Sequence, residues 1–203
     1  MKQILYIDAC VRRESRTKRL AEALLNRLLS VTGESYSVKK LNLKEEEKGL
    51  LPLHESNLVQ RNYALEHNSF DDPMYYYAKE FAAADIIVIA APYWDFSFPA
   101  VLKAYFEHVS VNGITFRYEN DRPVGLCRAQ MLYYVTTAGG EIGQLNLGYD
   151  YVKNLTRILF GVRDTQCVRV AGLDVAGADP EAMMENAVRT LSADPNLFQA
   201  YFS

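Results

Sequence analysis

Apolar residues in this chain form two kinds of pattern, short unbroken runs and helically spaced sets, and the two alternate. Ile4-Leu5-Tyr6-Ile7 is too short for a helix and too continuous for a half-exposed strand, which predicts a central parallel strand covered on both faces. A polar stretch from Arg12 to Lys18 follows, and then Leu20, Ala21, Leu24, Leu25 and Leu28 recur at helical spacing, with Gly33 as the expected stop. Tyr36 to Leu43 alternates in part and reads as a second, more exposed strand. Lys44 to about Asn57 reads as polar and mixed, and the longer segment to Asp72 as a possible shaper of access. Met74 to Ala84 is composed of helix formers. It leads into Asp85-Ile86-Ile87-Val88-Ile89-Ala90-Ala91, the strongest buried-strand signal, which Pro92 ends. Pro99 fits a helix first turn, and Val101, Leu102, Tyr105, Phe106 and Val109 supply the apolar face that follows. Met131 to Val135 predicts a fourth strand, Tyr151 to Phe160 a helix, Gln166 to Ala171 a fifth strand and Pro180 to Leu191 a last helix.

Strands alternating with helices along the whole chain indicate an α/β, doubly wound parallel sheet. Neither a linker nor an internal repeat divides the sequence, so a single domain over residues 1–203 is expected. Ligands of such sheets bind beyond the carboxyl ends of the strands, which directs attention to the segments after strands one, three and four.

The first of these, Ala9 to Arg19, carries five basic residues in the eight positions from Arg12 to Arg19, together with Ser15 and Thr17. A phosphate at the start of the following helix would gain hydrogen bonds, dipole and charge together; a plainer role for Ser15 or Thr17 is to cap that helix. Neither a GxGxxG nor a GxxxxGK[ST] pattern is present. The segment after the third strand, Pro92-Tyr93-Trp94-Asp95-Phe96-Ser97-Phe98-Pro99, sets four aromatic rings there, including the single Trp, and a flat heterocycle or a partner subunit would cover them. After the fourth strand, Thr137-Ala138-Gly139-Gly140-Glu141 offers two glycines whose backbone can approach a ligand closely. A phosphate subsite, an aromatic platform and a close backbone wall together describe a site for flavin mononucleotide.

The stretch APYWDFSFPAVLKAYFEHVSVNGITFRY, Ala91 to Tyr118, is close to the pattern AP-x-Y-N-F-x-x-P-x-x-LK-x-[YF]-[FI]-D followed by G-[VI]-TF-[RK]-Y. On that stretch the chain resembles the flavodoxin-like NAD(P)H:quinone oxidoreductase and FMN-dependent azoreductase family, and the likeness runs from Ile4 to about Gly172. The resemblance implies a flavodoxin-like sheet of five parallel strands in the order 2-1-3-4-5, with helices on both faces. It implies bound FMN, NADH or NADPH as co-substrate, and two-electron ping-pong hydride transfer to a quinone, azo or similar flat, electron-poor acceptor. It further implies a homodimer with its active sites at the subunit interface. By motif position Ser15, Arg16 and Thr17 match the phosphate loop, Tyr93, Trp94, Asp95 and Phe96 the segment against the isoalloxazine, and Thr137, Ala138, Gly139 and Gly140 a third flavin contact. No side-chain nucleophile is implied, because the chemistry centres on the flavin.

Two departures stand out. Ala9 occupies a position where the family often has serine, with Arg12, Arg13 or Arg16 available to compensate, and Asp95 stands where Asn is common. A carboxylate near the reactive edge of the ring would disfavour an anionic reduced flavin, which makes Asp95 a candidate tuning residue. Two competing readings come from other classes. Cys10, Arg16 and Thr17 share the C-x5-R-[ST] spacing of low-molecular-weight phosphatases, with Asp179-Pro180 as a candidate general acid, although Val11 to Ser15 contains no glycine to curl around a phosphate. The other is a flavin-binding regulatory protein without turnover.

Composition narrows the field further. At 203 residues, 49% hydrophobic and 23% charged, the chain can fill one core, and 22 Lys and Arg against 25 Asp and Glu leave no global positive field for nucleic acid or anionic membrane. No apolar run approaches the roughly 20 residues of a membrane span and the N-terminus lacks a signal-peptide pattern, so a cytoplasmic protein is expected. Three scattered cysteines and three histidines form neither a disulfide framework nor a metal motif, and no metal is expected.

Overall fold

The computed structural model describes residues 1–32, 36–45, 50–144 and 146–193. The expected helix stop at Gly33 and part of the Lys44 to Lys48 charge run lie outside them. The first apolar run becomes β1 (Lys2–Asp8), and β2 (Tyr36–Asn42), β3 (Ile86–Ala90), β6 (Met131–Thr137) and β7 (Asp164–Val170) join it in a parallel sheet ordered β2-β1-β3-β6-β7. This is the expected 2-1-3-4-5 order, renumbered because a short antiparallel pair, β4 (Phe116–Glu119) and β5 (Arg122–Gly125), forms a separate hairpin before β6.

Period-two alternation divides each strand between two cores. Leu5, Ile7, Ile87, Ile89, Leu132 and Tyr134 pack toward α3 (Tyr76–Ala83), α4 (Ala100–Val109) and α5 (Leu147–Leu155), meeting Phe81, Leu102, Phe106 and Val152. Ile4, Tyr6, Val88, Met131, Tyr133 and Val135 pack toward α1 (Arg16–Thr32) and α6 (Pro180–Ala193), against Leu20, Leu24, Leu28, Met184 and Leu191. Burial on both faces explains why the central strands read as continuous apolar runs. Among the described residues, no helix is long and apolar enough to cross a membrane.

Three elements depart from the expected pattern. The polar stretch after β2 contains α2 (Glu55–His67), whose Leu58, Val59 and Tyr63 are exposed and form no single buried stripe, so its periodicity carries no signal. Tertiary contact holds this helix: the Arg61 guanidinium donates to the carbonyls of Glu107, His108 and Ser110, the unpaired acceptors at the end of α4. The helix expected over Tyr151 to Phe160 begins earlier, at Leu147, capped by the Asn146 side chain, and ends in a wider π turn over Thr156–Phe160.

The hairpin was not expected from the sequence because its strands are four residues each and only half-buried. It docks by backbone: a Cβ on Gly125 would lie 2.2 Å from the Gly161 nitrogen, and Gly161 itself sits at φ +79° to end the π turn. Gly125→Ala must therefore push the hairpin off the π turn. Denaturant titration is expected to show a loss of about 1–3 kcal/mol, the usual range of an overpacked contact.

Candidate functional site

All five strands end on one edge of the sheet, and backbone pairing continues beyond those ends. Ala9 N–H donates to Ala90 O (2.9 Å), Ala91 N–H to Val135 O (2.9 Å), Tyr93 N–H to Thr137 O (3.0 Å) and Ala138 N–H to Val170 O (3.0 Å). The segments after β1, β3 and β6 are thereby fixed side by side. A fourth segment, after β7, joins them through Gly172 N–H to Gly140 O (2.9 Å), Leu173 N–H to Ala138 O (3.2 Å) and Asp174 N–H to Gly139 O (2.8 Å).

Between these segments lies a cavity of about 720 Å³, lined among others by Arg12, Arg16, Thr17, Tyr93, Trp94 and Gly139. Of the residues singled out from sequence, Ser15, Thr137 and Ala138 also line it, whereas Asp95, Phe96 and Gly140 do not. Sequence reasoning missed Leu173 and Asp174 because it stopped at the fourth strand. The available signal was Gly172, which turns the chain at φ +75° just beyond β7.

At the start of α1, the Ser15 hydroxyl accepts the Lys18 N–H (3.3 Å), an ordinary N-cap. The N–H groups of Arg16 and Thr17 have no acceptor within the helix and can bind an anion. Thr17 is buried, and its hydroxyl shares a hydrogen bond with that of Thr137 (2.6 Å), which ties the first turn of α1 to the end of β6. Beneath the loop, Asp8 is 3% exposed; it accepts the Cys10 N–H (2.9 Å) and pairs with the Lys18 ammonium (2.9 Å). Bonding to Asp8 raises the Lys18 pKa, so that cation is committed to the loop's own architecture. Arg16 Nη1 meets Asp174 Oδ1 at 2.8 Å and Arg19 pairs with Glu181, whereas Arg12 and Arg13 have no ion pair among the described residues.

After β3 the chain makes a two-residue turn in which Trp94 and Ser97 exchange backbone hydrogen bonds of 3.1 and 2.7 Å. Asp95 (φ 48°) and Phe96 (φ 62°) both occupy the left-handed region, the requirement of a type I′ turn that Asn-Gly meets best. Asn, which the resemblance implies at the position of Asp95, tolerates this conformation as Asp does. A bulky residue beside it at positive φ is strained. Phe96 is 70% exposed, and its ring makes an edge contact with Tyr93 (centroids 6.3 Å apart). In the segment after β6, a Cβ on Gly139 would fall 2.3 Å from Asp174 Oδ2, whereas one on Gly140 would meet nothing within 4 Å. The space beside Gly139 is thus taken by Asp174, whereas that beside Gly140 is open.

A family model described as flavodoxin-like fold matches residues 2–193. The chain belongs to this flavodoxin-like family. An FMN-dependent NADH:quinone oxidoreductase of Coprothermobacter proteolyticus is 33% identical over 93% of this chain and 96% of the relative. Two solved structures share the fold. One is an azoreductase of Bacillus anthracis (TM-score 0.78, 21% identity, 95% of this chain and 97% of that one). The other is an FMN-dependent NADH-azoreductase of Bacillus anthracis in complex with FMN (TM-score 0.76, 19% identity, 95% and 96%).

The phosphatase geometry is absent from this flavodoxin-like chain. Cys10 does not line the cavity; its sulfur faces the Ala90 carbonyl (3.7 Å), and burial, then the Asp8 charge, push its thiol up to about 12. Burial also pushes Cys127 up to about 12 and Cys167 to about 11. Because the thiolate is the reactive form, iodoacetamide at about pH 8 should leave the native protein unlabelled by intact mass, with labelling appearing on denaturation or as pH rises toward these values.

Proposed function

We propose that this chain is an FMN-dependent NAD(P)H oxidoreductase that passes two electrons to a quinone, an azo compound or a similar flat, electron-poor acceptor. The observation that carries the proposal is a single cavity in which an anion-binding helix start, aromatic side chains and unclaimed backbone N–H groups converge. Its volume, about 720 Å³, falls within the range of about 300–1,000 Å³ usual for small-molecule sites. The residues present fit the cofactor. Ser15, Arg16 and Thr17 would hold the phosphate, Arg12 adding charge in place of the hydroxyl that Ala9 lacks, and Tyr93 and Trp94 would lie against the ring system, with Asp95 and Phe96 at its rim outside the cavity lining. Thr137, Ala138 and Gly139 would form the opposite wall, with Gly140 next to it outside the lining; the N–H groups of Gly139 and Gly140 donate to nothing among the described residues, leaving them for a polar ring edge. The relatives named above, called FMN-dependent and NADH-using, support the same reading.

FMN held by these residues would supply two-electron redox chemistry between a nicotinamide and the acceptor. The chain's contribution is positional. The backbone bonds that hold Tyr93 to Thr137 and Gly139 to Asp174 fix the cavity walls relative to one another, so that donor and acceptor stack in one place in turn. Trp94, 44% exposed, and Phe96 offer apolar surface at this edge that a flat substrate or a second copy of the chain would cover. A homodimer, with α2 contributing Leu58, Val59 and Tyr63 as further contact surface, belongs to this proposal, as does a cytoplasmic, single-domain protein.

The test is the visible absorption spectrum of protein reconstituted with FMN, recorded before and after anaerobic NADH or NADPH. Retained flavin bands that bleach on the turnover timescale, and return on adding a quinone, are the expected result. Retained flavin that resists both nicotinamides would reduce the protein to a flavin carrier, and failure to retain flavin would overturn the assignment.

A further inference from the structure

The cavity contains an acidic residue that the flavin reading leaves without a task. Asp174 lines the same wall as Arg16, and its Oδ1 takes the Arg16 guanidinium at 2.8 Å. Its Oδ2 rests over the α-carbon of Gly139, in space open only because that residue has no Cβ, and its own N–H is anchored on the Gly139 carbonyl. The carboxylate is thus held from two sides against Arg16, the first residue of α1. Both partners stay accessible, with side chains 45% and 64% exposed, so neither has been removed from the reach of a ligand.

Charge bookkeeping in the cavity gives this contact its meaning. Of the charged residues lining it, Arg19 is paired with Glu181 and Arg16 with Asp174, while Arg12 and Glu14 have no ion pair among the described residues, so Arg16 is the cavity cation held by a carboxylate of the cavity itself. A phosphate monoester carries nearly two negative charges at neutral pH. To gain Arg16, it must share or displace the carboxylate already there, and it meets like charge while doing so.

Resting on the flavin reading above, we propose that Asp174 is an internal counter-anion that competes with the cofactor's phosphate for Arg16 and so sets how tightly the phosphate is gripped. Asp174 is a positioning residue in this scheme, acting on the phosphate through Arg16 and through its own charge. Because the oxidised flavin ring carries no net charge, removing the Asp174 charge acts chiefly on ligands bearing the phosphate. The bond between Asp174 N–H and Gly139 O keeps the competitor in place whichever anion Arg16 holds.

The isosteric substitution Asp174→Asn removes the charge while keeping size and hydrogen-bonding capacity. Apoprotein is titrated with FMN and, separately, with riboflavin, which lacks the phosphate, each followed by flavin fluorescence at low and high salt. Tightening of FMN by about five- to tenfold at low salt, shrinking as salt screens it, with riboflavin within twofold of the parent, is the expected result. Unchanged or weaker FMN binding overturns the proposal, as does equal tightening of both flavins, which would mark a general change of cavity shape. Should the parent protein bind neither flavin, the flavin reading fails, and inorganic phosphate then probes the counter-anion directly. Phosphate should raise the melting temperature of the Asp174→Asn variant more than that of the parent, and an equal shift overturns the proposal. Asp174→Ser repeats each comparison if the Asn variant folds poorly.

Discussion

Backbone pairing beyond the ends of the strands is the constraint on which the site depends. In a parallel sheet the carbonyls and N–H groups at the carboxyl edge must find partners or water, and here successive segments satisfy one another: Ala91 on Val135, Tyr93 on Thr137, Ala138 on Val170, then Leu173 and Asp174 back on Ala138 and Gly139. Each loop is therefore placed by its neighbour rather than by its own turn chemistry. Side chains that bear on function inherit this placement. Thr17 meets Thr137 because α1 starts where β6 ends, and Asp174 reaches Arg16 because the last of these segments folds back over the first.

Charge at this edge is distributed by depth. Asp8 is buried and neutralised by Lys18, which shapes the loop from below and leaves no free cation there. Nearer the surface, Arg16 and Arg19 have acidic partners that remain half-exposed, while Arg12 and Arg13 have none among the described residues. Exposed pairs of this kind contribute little to stability, typically about 0–1 kcal/mol. They can exchange partners, which suits a place where an anionic ligand arrives, whereas breaking the buried Asp8–Lys18 pair would strand a charge in the core.

Much of the fold was legible because its central strands are covered on both faces: Ile4 to Ile7 and Ile86 to Ala90 cannot be read as anything but buried. What escaped was held together by information remote in sequence. The α2 helix lacks an apolar stripe and relies on Arg61 reaching the carbonyls at the end of α4, and the β4–β5 hairpin relies on contact between two glycines 36 positions apart. At the site, the residue types after β1, β3 and β6 were visible, but their commitments were not. Nothing in the order of residues says that Arg16 is already engaged, that Cys10 turns its sulfur toward Ala90, or that only one of two adjacent glycines faces a neighbour.

The same turn geometry occurs twice, with opposite consequences. At the tip of the β4–β5 hairpin, Asn120 (φ 49°) and Asp121 (φ 59°) occupy the left-handed region, and both are residue types that tolerate it. The hairpin's grip on the body lies at its other end, at Gly125. Anchor and tip are thus mechanically separate, which makes the tip a natural place to lengthen the chain or graft a short peptide without disturbing the sheet, whereas the Asp95-Phe96 turn, though exposed, directly follows the cavity-lining Tyr93 and Trp94 and offers no such freedom.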